Sequence, residues 1–253
     1  MSDDEDLPEF ERTGTAEVES PTLIEGLPGL GLVASIAVDQ VTSQLGLEYF
    51  GQLRCPALPP VASYDEGRVQ DLVRVYAGED PAVMTLQSDL VIPPNAFDQL
   101  TQCVLTDLAA EFDRAIFLAG APARNEEEIG DVIGIATSDE TEAQIRDAGI
   151  ELAEGSGLVG GVTGALVSGC YEQSVPAAVL IVKAHPQLPD PGAAQSVIEN
   201  ALEPMVDFDI DTTELEDQSE QIRSQLEQIA RQYQQAAQES QEQQPPANAS
   251  MYQ

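Results

Sequence analysis

Residues 22–45 read TLIEGLPGLGLVASIAVDQVTSQL. The first four are a short apolar run that suits a strand. GLPGLG follows as a turn, and the remainder has the apolar recurrence of a helix, with Leu32, Ile36, Val41 and Leu45 on one expected face. Gly46 suits its end. A strand, a glycine turn and a helix in that order are the opening unit of an α/β protein.

The same alternation continues along the chain. EYFGQL, VASY, RVQDLVRVYA and AVMTLQ read as strands joined by hairpins. Pro94-Asn95 opens a helix that runs to about Glu111, with Leu100, Val104 and Leu108 at fourfold spacing. RAIFLAG, GDVIGIAT and AAVLIVKA are apolar enough for buried strands, and DETEAQIRDAG and DPGAAQSVIENALEPM read as helices. Continuous apolar strands between helices predict a mostly parallel sheet covered on both faces, made mixed by the hairpins.

Four segments follow from the texture. Residues 1–20 are acidic and without apolar period, so they are expected to be disordered. Residues 21–211 form the α/β domain. In 212–240, Leu215, Ile222, Leu226, Ile229 and Tyr233 make a coiled-coil-like stripe interrupted by Ser219. That helix can dock on its own domain or pair between subunits. Residues 241–253 are polar, proline-broken and expected to be a flexible tail.

The 253 residues carry 45 Asp and Glu against 10 Lys and Arg, a formal net charge of -35. Lys183 is the one lysine. A hydrophobic fraction of 42% separates this chain from disordered acidic sequences. Such a surface repels itself at low salt, whereas in molar salt the Debye length is about 3 Å. The expected setting is a halophile cytoplasm. Nucleic acid and anionic membranes are disfavoured as partners, because ten scattered cations build no basic patch. No uninterrupted apolar stretch is long enough to span a bilayer, and the acidic start is no signal peptide. Cys55, Cys103 and Cys170 are odd in number and widely spaced, as expected of reduced thiols.

Four features could carry chemistry. Gly26 to Ala34 includes Gly29-x-Gly31-x-x-Ala34, which fits a dinucleotide loop, but Glu48, the acid in the rough neighbourhood, precedes its strand instead of ending it, and a tight strand-to-helix turn is the favoured reading. Gly155, Gly157, Gly160, Gly161, Gly164 and Gly169 could wall a ligand or let a helix approach its neighbour closely. His185 stands alone, without a metal-ligand set or a nucleophile beside it, and is expected to be structural. The last is Met251-Tyr252-Gln253: an apolar residue, a tyrosine and a terminal carboxylate suit a groove with a receptor cation. The leash Gln241 to Ser250 spans at most ~33 Å.

TLIEGLPGLGLVASIAVDQV, FLAGAPARNEEEIGDVIGIAT and EGSGLVGGVTGALVSGCYEQSVPAAVLIVKAHPQLPDPGAAQSVIENAL together resemble the proteasome assembly chaperone family, in its archaeal, ATP-independent form. The resemblance runs from about Thr22 to Ile210. It implies a three-layer α/β/α mixed sheet similar to nucleoside phosphorylases, with a C-terminal helix and tail. It also implies a cytoplasmic homo-oligomer, with a homologous second chaperone as a further partner, that works without catalysis, metal or cofactor. It implies that a hydrophobic-Tyr-X (HbYX) tail, here Met251, Tyr252 and Gln253, docks between α-subunits of the 20S proteasome. A competing reading is a nucleoside phosphorylase- or nucleosidase-like enzyme walled by the two glycine segments. Its phosphate would need Arg54, Arg68, Arg74 or Arg124.

Overall fold

The computed structural model describes residues 7–222 and Ser224. Nine strands form one sheet in the order β1-β3-β6-β7-β2-β8-β11-β9-β10. They are β1 (Glu9–Arg12), β2 (Thr22–Gly26), β3 (Glu48–Arg54), β6 (Val73–Glu79), β7 (Ala82–Ser88), β8 (Arg114–Pro122), β9 (Val132–Ala136), β10 (Glu151–Leu152) and β11 (Ala177–Ala184). β4 (Ser63–Asp65) and β5 (Arg68–Gln70) make a separate hairpin. β2 is parallel to β7 and β8, β8 to β11, and β9 to β10, while the other four pairings are antiparallel. The sheet is therefore evenly mixed, where the sequence suggested a parallel majority. The hairpin-linked strands β3, β6 and β7 join the main sheet and shift the balance.

Helices cover both faces, giving three layers. α2 (Phe97–Thr106) and α4 (Gly161–Gln173) pack with Phe50, Leu86 and Phe117 on one side. α1 (Val33–Gln44), α3 (Asp139–Asp147) and α5 (Pro191–Val197) pack with Ile24, Ile116 and Leu180 on the other. α5 continues through a π-helical turn, Ile198–Leu202, into α6 (Glu203–Val206). Central strand β2 is buried along its whole length, as expected of a strand covered twice. All three cysteines are buried on the α2/α4 side. Burial pushes the thiols of Cys103 and Cys170 up to about 12, which leaves them unreactive.

Two expectations are corrected here. Residues 1–20 are not wholly irregular: Glu9–Arg12 is the edge strand of the sheet, paired with β3 from Glu9↔Arg54 to Arg12↔Gly51. Phe10 stacks on Phe50 with ring centroids 5.9 Å apart. Arg54 reaches Glu11 at 2.7 Å, a contact at the exposed sheet edge. The second correction is the face of α1. Its buried residues are Val33, Ala34, Ala37, Val38, Gln40 and Val41, whereas Leu32 is 39% exposed. A Cβ on Gly26 would lie 2.5 Å from that of Val38, so α1 sits close on β2. Alanine and glycine allow that approach, and they carry little of the hydropathy that a face is read from.

The chain from 213 to 222 is helical. Leu215 is buried in the α1/α5 layer, and Gln40 Nε2 donates to the carbonyl of Asp211 at 2.7 Å. The start of the C-terminal helix thus packs on its own domain. Leu226, Ile229 and Tyr233 lie outside the described residues.

Candidate functional site

β2, β8 and β11 run parallel, so Gly26, Pro122 and Ala184 come to the same end of the sheet. Ligand crevices of open α/β sheets form outside such carboxyl ends. The two glycine-rich segments meet there, around a cavity of about 200 Å³. Leu27, Gly29, Leu30 and Ala34 line it from the first segment, and Leu158, Val159, Gly160 and Thr163 from the second. Leu118 to Ala121 and Ile181 form its floor.

The first segment is held by close packing. Gly31 has φ +67°, a left-handed conformation that glycine adopts without strain. Its carbonyl accepts from the Asp190 N–H at 2.9 Å. Gly120 lies directly under Leu30. The second segment divides in two. Gly169 lets α4 cross α2 closely, since a Cβ there would meet Leu105 Cδ1 at 2.4 Å. Gly155, Gly157, Gly160 and Gly161 have open space around them.

Beneath the cavity lies a residue that sequence reasoning missed. Glu25, fully buried in β2, accepts from the Leu27 N–H at 2.9 Å, and its other oxygen is 3.4 Å from the Thr163 hydroxyl. Burial raises its pKa from the ordinary 4.5 to about 8, although hydrogen bonds from Leu27, Leu118 and Thr163 act the other way. Glu25 is therefore a neutral acid at pH 7. It ties the strand-to-helix loop to the first turn of α4, where both Leu27 and Thr163 reach the cavity. A charged residue inside an apolar strand was the available signal, but 45 carboxylates made one more unremarkable.

The other sequence candidates do not assemble at this place. Glu48 begins β3, which runs in the same direction as β2, so it lies at the opposite end of the sheet from Gly26. The dinucleotide reading is thereby removed. Arg74 is buried and holds Asp89 through two contacts of 2.8 and 3.0 Å. Arg54 is engaged at the β1 edge, Arg68 opens β5, and Arg124 follows β8. No cationic side chain lines the cavity among the described residues. The His185 ring accepts from the Gln187 N–H at 3.2 Å, and its backbone N–H donates to Asp190 at 2.7 Å, so it fastens a loop. Among the described residues, no group of three or more metal-ligating side chains exists, and no helix is long and apolar enough to cross a membrane. Met251, Tyr252 and Gln253 lie outside the described residues.

Comparison with known proteins places this architecture. An uncharacterised protein of Methanocaldococcus jannaschii, MJ0106, is 28% identical over 218 residues, covering 86% of this chain and 88% of that protein. The crystal structure of PbaA from Pyrococcus furiosus, an archaeal homolog of proteasome-assembly chaperone, superposes with a TM-score of 0.80 at 25% identity. It covers 94% of this chain and 97% of PbaA. PbaB from the same organism, an archaeal proteasome activator, shares the fold with a TM-score of 0.79 at 17% identity, covering 89% of this chain and 99% of PbaB. The PAC2 family matches residues 23–230, most of the sequence. By that match, and by the fold it shares along nearly its whole length, this chain belongs to the PAC2 family.

Proposed function

We propose that this protein is an ATP-independent chaperone or activator of the archaeal 20S proteasome. It binds α-subunits by docking Met251, Tyr252 and Gln253 between them. The observation that carries the reading is the likeness to PbaA over 94% of this chain and 97% of that one. The hydrophobic-Tyr-X order of the last three residues supports the mode of docking. An apolar side chain and a tyrosine fill a groove, and the carboxylate meets a receptor cation. Burying the two side chains contributes about 3–5 kcal/mol before ordering costs. One tail is therefore weak. Several tails on a homo-oligomer act at effective concentrations up to about millimolar, so avidity is part of the mechanism.

In this reading the α/β domain is a scaffold rather than a catalyst, working in a salt-loaded cytoplasm. Its cavity is lined by uncharged residues, and the carboxyl beneath it serves as a structural tie. A pull-down from cytosol in molar KCl, comparing the intact chain with one ending at Ser250, tests the proposal. Proteasome α-subunits are expected with the intact chain alone. Equal recovery with both chains would assign the contact to a globular face, and no recovery with either would remove the proteasome as partner.

A further inference from the structure

Among the described residues, three buried side-chain polar atoms have no hydrogen-bond partner, and two of them, Ser35 Oγ and Arg74 Nε, belong to residues that line one crevice. Buried polar groups ordinarily find partners, so two donors left over in one place point to something that meets them. Arg74 is only 6% exposed, and its two terminal nitrogens are taken by Asp89. That pairing balances the charge of the guanidinium and leaves Nε–H over. The crevice holds about 290 Å³ and shares no lining residue with the glycine-walled cavity. The sheet itself creates it. β2 and β7 are parallel neighbours, yet α1 leaves β2 for one face and α2 leaves β7 for the other. Such a switch in direction is where open α/β sheets bind small molecules.

We propose that this crevice binds a free α-amino acid with an apolar side chain. The ligand carboxylate accepts from Arg74 Nε and the Ser35 hydroxyl, and its ammonium meets Asp39. Ser35 lies in the first turn of α1, whose start has no side-chain cap, so the helix end favours the negative group there. Asp39 follows one turn later on the same face, about 5–6 Å away between Cβ atoms. A carboxylate and an ammonium on one carbon bridge that gap when each makes a hydrogen bond. Partial burial raises the Asp39 pKa against the pull of Arg74, and the like charges of Asp89, Asp65 and Glu214 add to it. A cation beside Asp39 relieves that crowding. Leu32 and Ile36, also one turn apart, give the ligand side chain an apolar wall. A phosphate does not suit the crevice, because Asp89 already balances Arg74 and Asp39 adds negative charge. The inference does not rest on tail docking.

The test is a calorimetric titration of the full chain in molar KCl with leucine, leucinamide and N-acetyl-leucine. Leucine is expected to bind saturably. Both analogues are expected to bind at least tenfold more weakly, since one lacks the carboxylate and the other the ammonium. Ser35→Ala and Asp39→Asn are each expected to weaken leucine binding at least fivefold. Both variants should unfold at a midpoint no lower than that of the intact chain, because Ser35 Oγ has no partner to lose and Asp39 is exposed. No saturable heat from leucine, isoleucine, valine or methionine at millimolar concentration would overturn the proposal. So would leucinamide that binds as tightly as leucine, which would point to a peptide N-terminus, or either variant binding leucine like the intact chain. No proteasome enters the measurement, so its failure and the failure of tail docking are separate results.

Discussion

Glu25→Gln is expected to remove the loss of stability that deprotonating Glu25 imposes on the fold as pH rises from about 5 to 8. The native carboxyl titrates near 8, raised by burial from its ordinary 4.5. Between those values the unfolded chain has released the proton while the native one still holds it. The unfolded state binds fewer protons, so stability falls with rising pH across this window. The favourable state is complete below pH 4.5 and lost as pH passes through about 8. At about 1.4 kcal/mol for each pH step, the whole window amounts to about 5 kcal/mol. Glutamine keeps the shape and has no proton to lose. Urea midpoints measured at fixed molar KCl from pH 5 to 9 should descend more steeply for the natural chain than for Glu25→Gln. Above pH 8 the variant should be the more stable protein. Parallel curves would show that Glu25 does not hold its proton in the fold.

Gly120→Ala is expected to destabilise the fold by about 3 kcal/mol. The new Cβ would lie 2.2 Å from the carbonyl oxygen of Leu30 and 3.0 Å from its carbonyl carbon. Both atoms are backbone, so no rotamer change relieves the contact. The loop cannot simply lift away either, because Gly31 is held by the Asp190 N–H. Gly29→Ala, a few residues along the same turn, is the contrast. Its φ of -140° is extended backbone, and nothing lies within 4 Å of the added carbon. That change should cost less than about 1 kcal/mol. Thermal or urea unfolding of the pair checks whether the glycine segment is held by packing on β8. Equal midpoints would contradict it.

Much of the scaffold was readable because central strands are buried on both faces and so appear as unbroken apolar runs. AAVLIVKA and RAIFLAG became β11 and β8, and Leu100, Val104 and Leu108 are all fully buried. What escaped did so for physical reasons. β1 offers one aromatic residue among charges, and its strand character comes from pairing with β3 forty residues on. The face of α1 was misjudged because alanines make it, and their value is closeness rather than hydropathy. Glu25 disappeared into a background of surface carboxylates that a salt-adapted sequence would carry. The glycine segments were found as motifs, but only the parallel register of β2, β8 and β11 brings them to one cavity.

The central claim is that this chain acts by binding the proteasome through its last three residues. The most direct measurement is a titration of purified 20S proteasome with the intact chain and with Tyr252→Ala, in molar KCl, followed by co-sedimentation. The account predicts saturable binding of the intact chain and at least a tenfold weaker curve for Tyr252→Ala, with the oligomer mass of the variant unchanged. Two superimposed curves, or no binding by the intact chain, would contradict it.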